Sequence, residues 1–377
     1  MIEIMELNSK MELKTKLRKM SVVSIVVCGA GVIGQAHIQR VQALPKGVGW
    51  LKGIVDPAPE ARKQAAALGV GYAADLVCAL DEWQPDAVII ASPTGLHVSM
   101  AQACIERNIP VLVEKPLAAD AAAAFALARF AVERRVPLLV GHFRRHNPVM
   151  RAAQELIARG ELGRLVSVNV DSTVCKPDSY FNIAWRTQAG GGPVLINLVH
   201  DIDALRYLCG EITSVQAMTS HAVRELAVED SAAVLLHFAS GTLATLTLSD
   251  TTPSPWCWDQ LAGENKDFAQ HQGQCYRLCG TEAALELPGL IRWHYAGKRG
   301  WAHPLAADAL PYPPVDPLTL QLEHFIRVVR REEVPLVSGA DGAATLAATL
   351  AVLEAASSGR AVVPMQDCHR DRNLGRN

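Results

Sequence analysis

A short apolar segment followed at once by a glycine-rich turn constrains this chain more than any other feature. Residues 22–28 read Val-Val-Ser-Ile-Val-Val-Cys, and residues 29–34 read Gly-Ala-Gly-Val-Ile-Gly. An apolar run of this length predicts a buried strand, and the glycine spacing predicts a tight turn that leads into a helix packed on that strand. The chain holds 27 glycines, so the spacing alone is weak evidence. Its position directly after a strand makes the turn a candidate phosphate-binding loop.

The first part of the chain repeats this pattern of strand and helix. Further apolar runs, separated by alanine-rich helical segments, lie at residues 51–55, 87–91, 111–114 and 137–140. Strands that alternate with helices at this spacing predict an N-terminal, doubly wound parallel sheet of the Rossmann type.

The pattern changes after Asn147-Pro148. Residues 165–174 alternate as a half-buried strand, and residues 232–238 and 242–248 flank a Ser240-Gly241 turn as an antiparallel hairpin. Two helices, at about 318–331 and 340–357, end the fold. We therefore predict an α/β protein whose C-terminal domain is α+β with an open, mainly antiparallel sheet.

Length and composition set the domain count and the class of partner. A chain of 377 residues predicts two domains, which we place at 21–145 for dinucleotide binding and 146–365 for substrate binding and oligomerisation, with an extension at 1–20 and a tail at 366–377. The net charge of −2 gives no support to nucleic-acid or membrane binding and favours a small-molecule substrate.

The cysteines indicate a reducing compartment. The nine cysteines are scattered, with no CxxC pair and no secretory leader ahead of them, which predicts reduced thiols in a cytoplasmic protein. Cys275 and Cys279 lack partners at zinc spacing, so we expect no metal.

An acidic residue after the second apolar run bears on the choice of dinucleotide. Asp56 follows Gly34 by 22 residues, where a carboxylate binds the adenosine ribose and repels a 2′-phosphate. The cofactor predicted is NAD rather than NADP. Arg62 and Lys63 argue the other way unless they are solvated charges on a helix.

Lys115 follows the apolar run 111–113 in the segment Val-Leu-Val-Glu-Lys-Pro. Ligands of open parallel sheets bind beyond the carboxyl ends of the strands, which places a cationic proton donor beside a nicotinamide. The segment 92–97 follows the preceding strand, so its backbone should pass near the nicotinamide ribose, with Thr94 as a helix N-cap and His97 either at the cofactor or simply packed.

A second group of polar residues follows the triple glycine at 190–192. The helix predicted at 195–208 has an apolar stripe at helical spacing, and Asn197, His200 and Asp201 share its opposite face. A single histidine on a helix is more often structural. These neighbours and the glycine-rich entry favour a functional role.

Other candidate substrate contacts lie outside this helix. Arg144, within the run Arg-Arg-His-Asn at 144–147, meets an anionic substrate or belongs to a solvated charge cluster. Tyr180, Trp185 and Arg186 precede the triple glycine and form either a platform for a sugar ring or a packing plug.

Four of these segments together resemble the Gfo/Idh/MocA oxidoreductase family, from about residue 22 to 364. They are Gly29–Gly34, Ser92–His97, Glu114-Lys-Pro116 and the stretch Gly190–Asp203. The resemblance implies NAD(P)-linked oxidation of a hydroxyl on a sugar, polyol or related ring, with Lys115 and His200 as the catalytic pair, Asn197 beside them and a cis Lys115–Pro116 bond. The expected cofactor-binding residues are Gly29, Gly31, Val32, Ile33, Gly34, Asp56, Ser92, Pro93, Thr94, His97, Glu114 and Lys115.

One departure from the family pattern leaves alternatives open. The family often has an aspartate four residues before the histidine, whereas this chain has Ile196, so Asp201 or Asp203 would have to replace it. Two other functions therefore stay in view: an NAD-binding sensor or scaffold without net turnover, and an enzyme that cleaves a glycoside while recycling NAD.

Assembly follows from the predicted C-terminal sheet. The alternating apolar residues of 166–174 and 243–248 are expected to lie on a sheet face that the chain has too few helices to cover. A second copy of the same sheet would cover it, so we expect a homodimer or a homotetramer.

Overall fold

A computed structural model describes residues 22–312 and 315–367. The extension expected at 1–20 and all but the first two residues of the tail expected at 366–377 lie outside the described residues. Within this part of the chain, no helix combines the length and the apolar character needed to cross a bilayer.

The described chain forms two compact units. One runs to His142 and includes Leu318–Ala343, and the other contains Phe143–Pro317 and the chain from Ala344 onward. The division drawn from the sequence assigned residues 318–343 to the second domain, so it differs from the structure at this segment.

The first unit is built on a six-stranded parallel sheet in the order β3-β2-β1-β4-β5-β6, which confirms the predicted doubly wound architecture. Every residue of the first strand is buried, as expected where helices cover both faces of a sheet. The strands are β1 (Val23–Cys28), β2 (Gly49–Val55), β3 (Gly71–Ala73), β4 (Ala87–Ile90), β5 (Val111–Val113) and β6 (Leu138–Val140). The helices between them are α1 (Val32–Gln42), α2 (Pro59–Leu68), α3 (Leu76–Trp83), α4 (His97–Glu106) and α5 (Ala121–Arg134).

The second unit contains an eight-stranded, mainly antiparallel sheet in the order β14-β13-β12-β11-β7-β10-β9-β8, as predicted. The expected hairpin is its β9–β10 pair, whereas β10 runs parallel to β7. The strands are β7 (Leu165–Thr173), β8 (Ile212–Ser220), β9 (Ser231–Phe238), β10 (Leu243–Ser249), β11 (Tyr276–Gly280), β12 (Ala283–Leu287), β13 (Ile291–His294) and β14 (Ala306–Ala309). The helices of this part are α6 (Pro148–Ala158), α7 (Val199–Cys209) and α8 (Trp258–Leu261).

Two last helices, α9 (Pro317–Val329) and α10 (Gly339–Ser358), agree with the two predicted closing helices. Helix α9 accounts for the difference in the domain division. Its apolar residues Leu322, Phe325 and Ile326 are buried in the core of the first sheet, because helical spacing puts them on one face. The helical spacing predicts that α9 has an apolar face. It does not predict whether that face packs in the core of the first or of the second sheet.

The two faces of the second sheet differ in polarity. Val168, Val170, Leu246 and Leu248 are buried in the core of this unit, together with apolar residues of α7 and α10. The expectation that the apolar set of 166–174 and 243–248 lies on the uncovered face is therefore mostly wrong, because strand alternation turns these residues to the covered side. The open face instead carries polar side chains with two exposed leucines, Leu235 at 52% and Leu243 at 56%.

The glycine turn offers a matched pair of stability tests. A Cβ at Gly34 would overlap the carbonyl oxygen of Gly29, whereas a Cβ at Gly31 would meet nothing within 4 Å. We expect Gly34→Ala to lower the free energy of unfolding by roughly 1–3 kcal/mol, the scale of an overpacked core, and Gly31→Ala to leave it nearly unchanged. Denaturant unfolding of both variants without nucleotide measures this. Equal losses in the two variants would contradict the packing role of Gly34.

Candidate functional site

The carboxyl ends of four strands of the first sheet lie in one row. The register pairs Cys28 with Ile90, Ile90 with Val113, and Val113 with Val140. The segments that follow these residues therefore begin at the same edge of the sheet, where open parallel sheets bind their ligands. The glycine turn, Ser92 and Lys115 all belong to these segments.

The glycine turn is open on its outer side. Gly29 has a φ of +89° and lies so close to the backbone at Ala91 that a side chain would overlap it. Gly31 has free space around it, and Val32 is 87% exposed. Helix α1 begins here with Gly31 as its N-cap and no capping side chain, so its first amides can receive a phosphate.

Asp56 lies at the end of β2 beside this turn, and it has a role that the sequence did not predict. Its Oδ2 accepts a hydrogen bond from the Ala30 amide at 2.7 Å, and its Oδ1 accepts one from the Ala58 amide at 2.8 Å. The carboxylate therefore fixes the glycine turn. A carboxylate oxygen can accept more than one hydrogen bond, so these contacts are compatible with additional bonds from ribose hydroxyls.

The segment after β4 supplies both an unsatisfied group and a brace. The Oγ atom of Ser92 is buried and has no hydrogen-bond partner among the described residues, as expected of a group that meets a ligand. Pro93 is exposed, and the turn Thr94–Leu96 begins without a side-chain cap, so the prediction that Thr94 is an N-cap is wrong. The buried ring of His97 contacts the carbonyl oxygens of Ser92 and Pro116, each at 2.9 Å. His97 thus braces two segments of the edge.

Lys115 is anchored through its neighbour Glu114. The buried Glu114 carboxylate is 2.8 Å from Nε2 of His37 and accepts a bond from the Lys115 amide at 3.2 Å. A Cβ at Gly141 would lie 2.7 Å from the same carboxylate. Burial alone would raise the pKa of Glu114, but the hydrogen bond and charge of His37 and the charge of Lys115 outweigh it and hold the pKa below its usual range.

One feature of this anchor was predicted from the sequence and one was not. The Lys115–Pro116 bond is cis, as expected. The pairing of Glu114 with His37 was missed, because the residues are 77 positions apart and each lies in an unremarkable local context.

In the second unit, the helix that carries Asn197 and His200 begins with a widened turn. Residues Val194–Leu198 are π-helical and lead into α7, a feature that often marks functional sites and that the sequence did not indicate. Most of the predicted apolar stripe is buried, with Leu195 only half-buried. The half-buried His200 lies 5.5 Å from the ring of Phe143. Asn197 lines a small cavity with Ser249 and Trp258.

Asn197 and Asp201 face the same cavity but differ in their contacts. The Oδ1 atom of Asn197 is buried with no hydrogen-bond partner in the described chain, so it can accept a bond from a ligand hydroxyl. Asp201 is fully engaged: it accepts hydrogen bonds from Arg144 at 2.5 Å, from Ser172 at 2.8 Å and from the hydroxyl of Tyr276.

Asp203 is engaged in the same way. Arg145 donates two hydrogen bonds to it, at 2.7 and 2.8 Å, and Thr345 donates a third at 2.9 Å. Both carboxylates that were candidates to replace the one missing at Ile196 are therefore committed to buried arginines.

The run 144–147 is not a solvated charge cluster, because all four residues are buried. The Arg144 guanidinium is 5.3 Å from the Trp258 ring centroid and 4.0 Å from Glu264. Burial raises the pKa of Glu264 to about 7, against the opposing charge of Arg144. Asp201 and Asp203 compensate the buried charges of Arg144 and Arg145 in place of water. These pairs were not predicted, because the partners are 57 and 58 positions apart in the sequence.

Tyr180, Trp185 and Arg186 do come together. The Arg186 guanidinium lies 3.9 Å from the Tyr180 ring centroid and 5.5 Å from that of Trp185. Lys176 lies 4.8 Å from the Tyr180 ring centroid and 3.3 Å from Asp250. The β7–β10 pairing brings Lys176 and Asp250 together, and only knowledge of that pairing would have predicted it.

Glu229 connects this group to the start of the helix. It accepts a hydrogen bond from the Val194 amide at 2.9 Å, and a Cβ at Gly192 would overlap its carboxylate. Burial raises the pKa of Glu229, an effect that the Val194 hydrogen bond and the charge of Lys176 oppose. A glycine is therefore needed at position 192, because a side chain there would overlap the Glu229 carboxylate.

Comparison with known proteins places both halves of the chain in one family. Residues 23–142 match the model described as an oxidoreductase family with an NAD-binding Rossmann fold, and residues 150–286 match the GFO/IDH/MocA C-terminal domain. Inositol 2-dehydrogenase 2 of Mycolicibacterium vanbaalenii is 30% identical over 62% of this chain and 68% of its own length. D-xylose 1-dehydrogenase (NADP(+)) 2 of Haloferax volcanii is 28% identical over 74% of this chain and 80% of its own.

The fold has close counterparts among solved structures. The WlbA dehydrogenase from Bordetella pertussis, solved with NADH and UDP-GlcNAcA, has a TM-score of 0.75 and 23% identity over 92% of this chain and 100% of that chain. The model of the Rossmann fold covers the part of the chain that contains the parallel sheet, and the model of the C-terminal domain covers most of the strands of the second sheet. The chain is therefore a member of the Gfo/Idh/MocA family of oxidoreductases, and its first unit is the NAD(P)-binding Rossmann fold of that family.

Proposed function

We propose that this protein is an NAD-dependent dehydrogenase that transfers a hydride between a secondary hydroxyl of a sugar, polyol or related cyclic substrate and the nicotinamide. The observation that carries the proposal is the convergence of the open glycine turn, the unsatisfied Ser92 Oγ and Lys115 at one edge of the first sheet. The relatives named inositol and xylose dehydrogenases support a sugar or polyol substrate.

The cofactor residues have distinct roles in this proposal. The amides after Gly31 hold the pyrophosphate, Asp56 accepts hydrogen bonds from the ribose, and Ser92 bonds to the nicotinamide end. Bound NAD supplies the hydride acceptor. His97 and Glu114 hold the backbone on which Ser92 and Lys115 lie, through hydrogen bonds to carbonyl and amide groups.

The remaining residues handle the substrate and its proton. As the carbonyl forms, the hydroxyl proton must leave, and His200 is the base suited to accept it near neutral pH. Lys115 shares that proton or polarises the substrate oxygen. Asn197 accepts a hydrogen bond from a substrate hydroxyl through Oδ1, while Arg144 acts behind the site by holding Asp201.

A substrate panel tests the proposed reaction. Aldoses, inositols, uronates and aromatic dihydrodiols are each incubated with the protein and NAD, and NADH absorbance is followed. Net NADH formation is the expected result. Glycoside cleavage without NADH would instead indicate an enzyme that recycles its cofactor, and NAD binding with neither product would indicate a sensor or scaffold.

Lys115 provides the test of the catalytic assignment. With a substrate found in that panel, we expect Lys115→Ala to lower kcat/KM by at least ~100-fold, the lower range for acid–base catalysis, while the dissociation constant for NAD stays near normal. Lys115→Arg is the matched variant, since it keeps the charge but cannot release a proton. Turnover near that of the unmodified protein in Lys115→Ala would refute the assignment.

Asp56 provides the test of cofactor preference. We expect NAD to bind more tightly than NADP, and Asp56→Ser to narrow the difference about tenfold, the scale of one hydrogen bond to a charged group. Asp56→Asn removes the charge and keeps one acceptor oxygen, so unlike Asp56→Ser it can retain one of the two bonds from the turn amides through an amide oxygen. Fluorescence titration gives the affinities. Tighter binding of NADP by the unmodified protein would contradict this proposal.

We also propose that the protein forms at least a homodimer through the open face of the second sheet. Two leucines on that face, Leu235 and Leu243, are more than half exposed, and a second copy of the sheet would cover them. Light scattering should give at least twice 40.6 kDa. Leu235→Glu should shift the mass toward the monomer, whereas Val334→Glu, at a side chain 83% exposed in the first unit, should not. A monomer at micromolar concentration would overturn the proposal.

A further inference from the structure

Lys176 is a buried cation with unused hydrogen-bonding capacity. It follows β7, and its side chain is only 10% exposed. Its Nζ lies 3.3 Å from Asp250, an ion pair that falls short of hydrogen-bond geometry, and Nζ has no hydrogen-bond partner within the described residues. An ammonium group carries three donors. Asp250 can engage one of these donors, and no acceptor among the described residues meets the other two, which is costly for buried donors.

Arg186 presents a second unused donor at the same aromatic ring. Its guanidinium lies 3.9 Å from the Tyr180 ring centroid, and the Lys176 ammonium lies 4.8 Å from that centroid. One arm of Arg186 donates to the Tyr180 carbonyl oxygen at 2.9 Å. Its Nε is buried and has no hydrogen-bond partner in the described chain. Two cations thus share one ring, and each has a donor available to a ligand.

One more cation and several carboxylates surround these two donors. Arg224 is the third cation, and it is fully engaged: it donates to Asp250 Oδ1 at 2.9 Å and to the carbonyl oxygens of Lys176 and Asp250. Asp250 and Glu229 are the carboxylates near Lys176, and Asp178 is completely solvent-exposed. Asp230 is a further buried carboxylate, which accepts hydrogen bonds from the amides of Val223 and Arg224, so the three cations carry no positive excess over the carboxylates. Burial also lowers the pKa of Lys176, although Asp250 opposes this, as expected of an ammonium that lacks sufficient anionic contact.

This cluster lies beside the cavity of Asn197. Val174 and Ser249 line that cavity with Asn197, and Lys176 and Asp250 follow them closely along the two paired strands. Glu229 supplies a second connection, since it accepts from the amide at the start of the same π-helical turn. Lys176 itself lines a neighbouring cavity with Phe181 and Arg224, and the segment from Val174 to Lys176 borders both cavities.

We infer that Lys176 and Arg186 bind a carboxylate of the substrate, so that the preferred substrates are acidic sugars or polyols rather than neutral ones. This inference rests on the proposed dehydrogenase function. Two separate donors match the two oxygens of a carboxylate, and hydrogen bonds between charged donors and an ionised acceptor are stronger than those to a neutral hydroxyl. The rings of Tyr180 and Trp185 offer apolar surface for the carbons next to that group.

Matched acid and neutral ligands test the inference. Calorimetric titrations use protein saturated with NADH, which cannot accept a hydride, so binding is measured without turnover. The pairs are glucuronate with glucose and galacturonate with galactose, and glucose 6-phosphate is the phosphate control. We expect each acid to bind at least about 10-fold more tightly than its neutral partner, the scale of one or two hydrogen bonds to charged groups.

Variants assign that preference to the two cations. Lys176→Met should remove most of the preference for the acid over its neutral partner, and Arg186→Gln should reduce that preference independently. Two variants are used so that the test still holds if one of them misfolds. Asp250 keeps its Arg224 partner in both. Lys298→Met, at an exposed lysine of the same unit, should leave the preference unchanged. Thermal melting confirms that each variant is folded.

The outcomes separate this inference from the proposed function. Equal binding of acids and neutral sugars, or an unchanged preference in both variants, would overturn the carboxylate site, as would tighter binding of the phosphate. Oxidation of neutral sugars alone in the NAD panel would overturn the inference and leave the dehydrogenase standing. Tight binding of acids without NADH formation from any of them would support the site and count against the dehydrogenase.

Discussion

Two adjacent arginines paired with two carboxylates of one helix fix the second half of the candidate site. Arg144 pairs with Asp201 and Arg145 with Asp203, and all four side chains are at most 5% exposed. Removing one partner from such a pair leaves a buried, uncompensated charge, at a cost of about 3–5 kcal/mol. His200 directly precedes Asp201, and its ring meets Phe143, which directly precedes Arg144. The imidazole therefore lies beside two buried ion pairs that hold its helix in place.

Both units use the same device to hold a functional segment. Glu114 is buried against Gly141 and accepts a hydrogen bond from the amide of Lys115. The half-buried Glu229 packs against Gly192 and accepts a hydrogen bond from the amide of Val194, three residues before Asn197. In each case a glycine makes room for a carboxylate, and the carboxylate fixes backbone rather than substrate. The glycines at these sites thus act through the space they leave as much as through their backbone freedom.

Local pattern was sufficient for the strands, the glycine turn and the hairpin, because continuous or alternating apolar runs determine burial within a few residues. It also singled out Ser92 and Lys115, which follow strands β4 and β5, and Asn197 and His200 at the start of a helix. It failed for Arg144, whose partner lies 57 positions away, and for helix α9, whose apolar face fits either core. Charge pairing and core membership depend on which elements become neighbours. That information lies in the assembled sheets and not in any window of sequence.

The parallel pairing of β7 and β10, inside a mainly antiparallel sheet, has a consequence for how this site can change. Its register aligns Thr173 with Ser249, so both strands end at the same edge of the sheet. Lys176 and Asp250 lie just beyond that edge, outside the two strands, where the Lys176 amide still donates a hydrogen bond to the Asp250 carbonyl oxygen. Substitutions there can alter the charge and shape presented to a ligand while every strand-to-strand hydrogen bond is retained. At this one parallel pair, the residues that can contact a ligand are therefore separate from the residues that hold the sheet together. Parallel sheets show the same separation along their whole carboxyl edge.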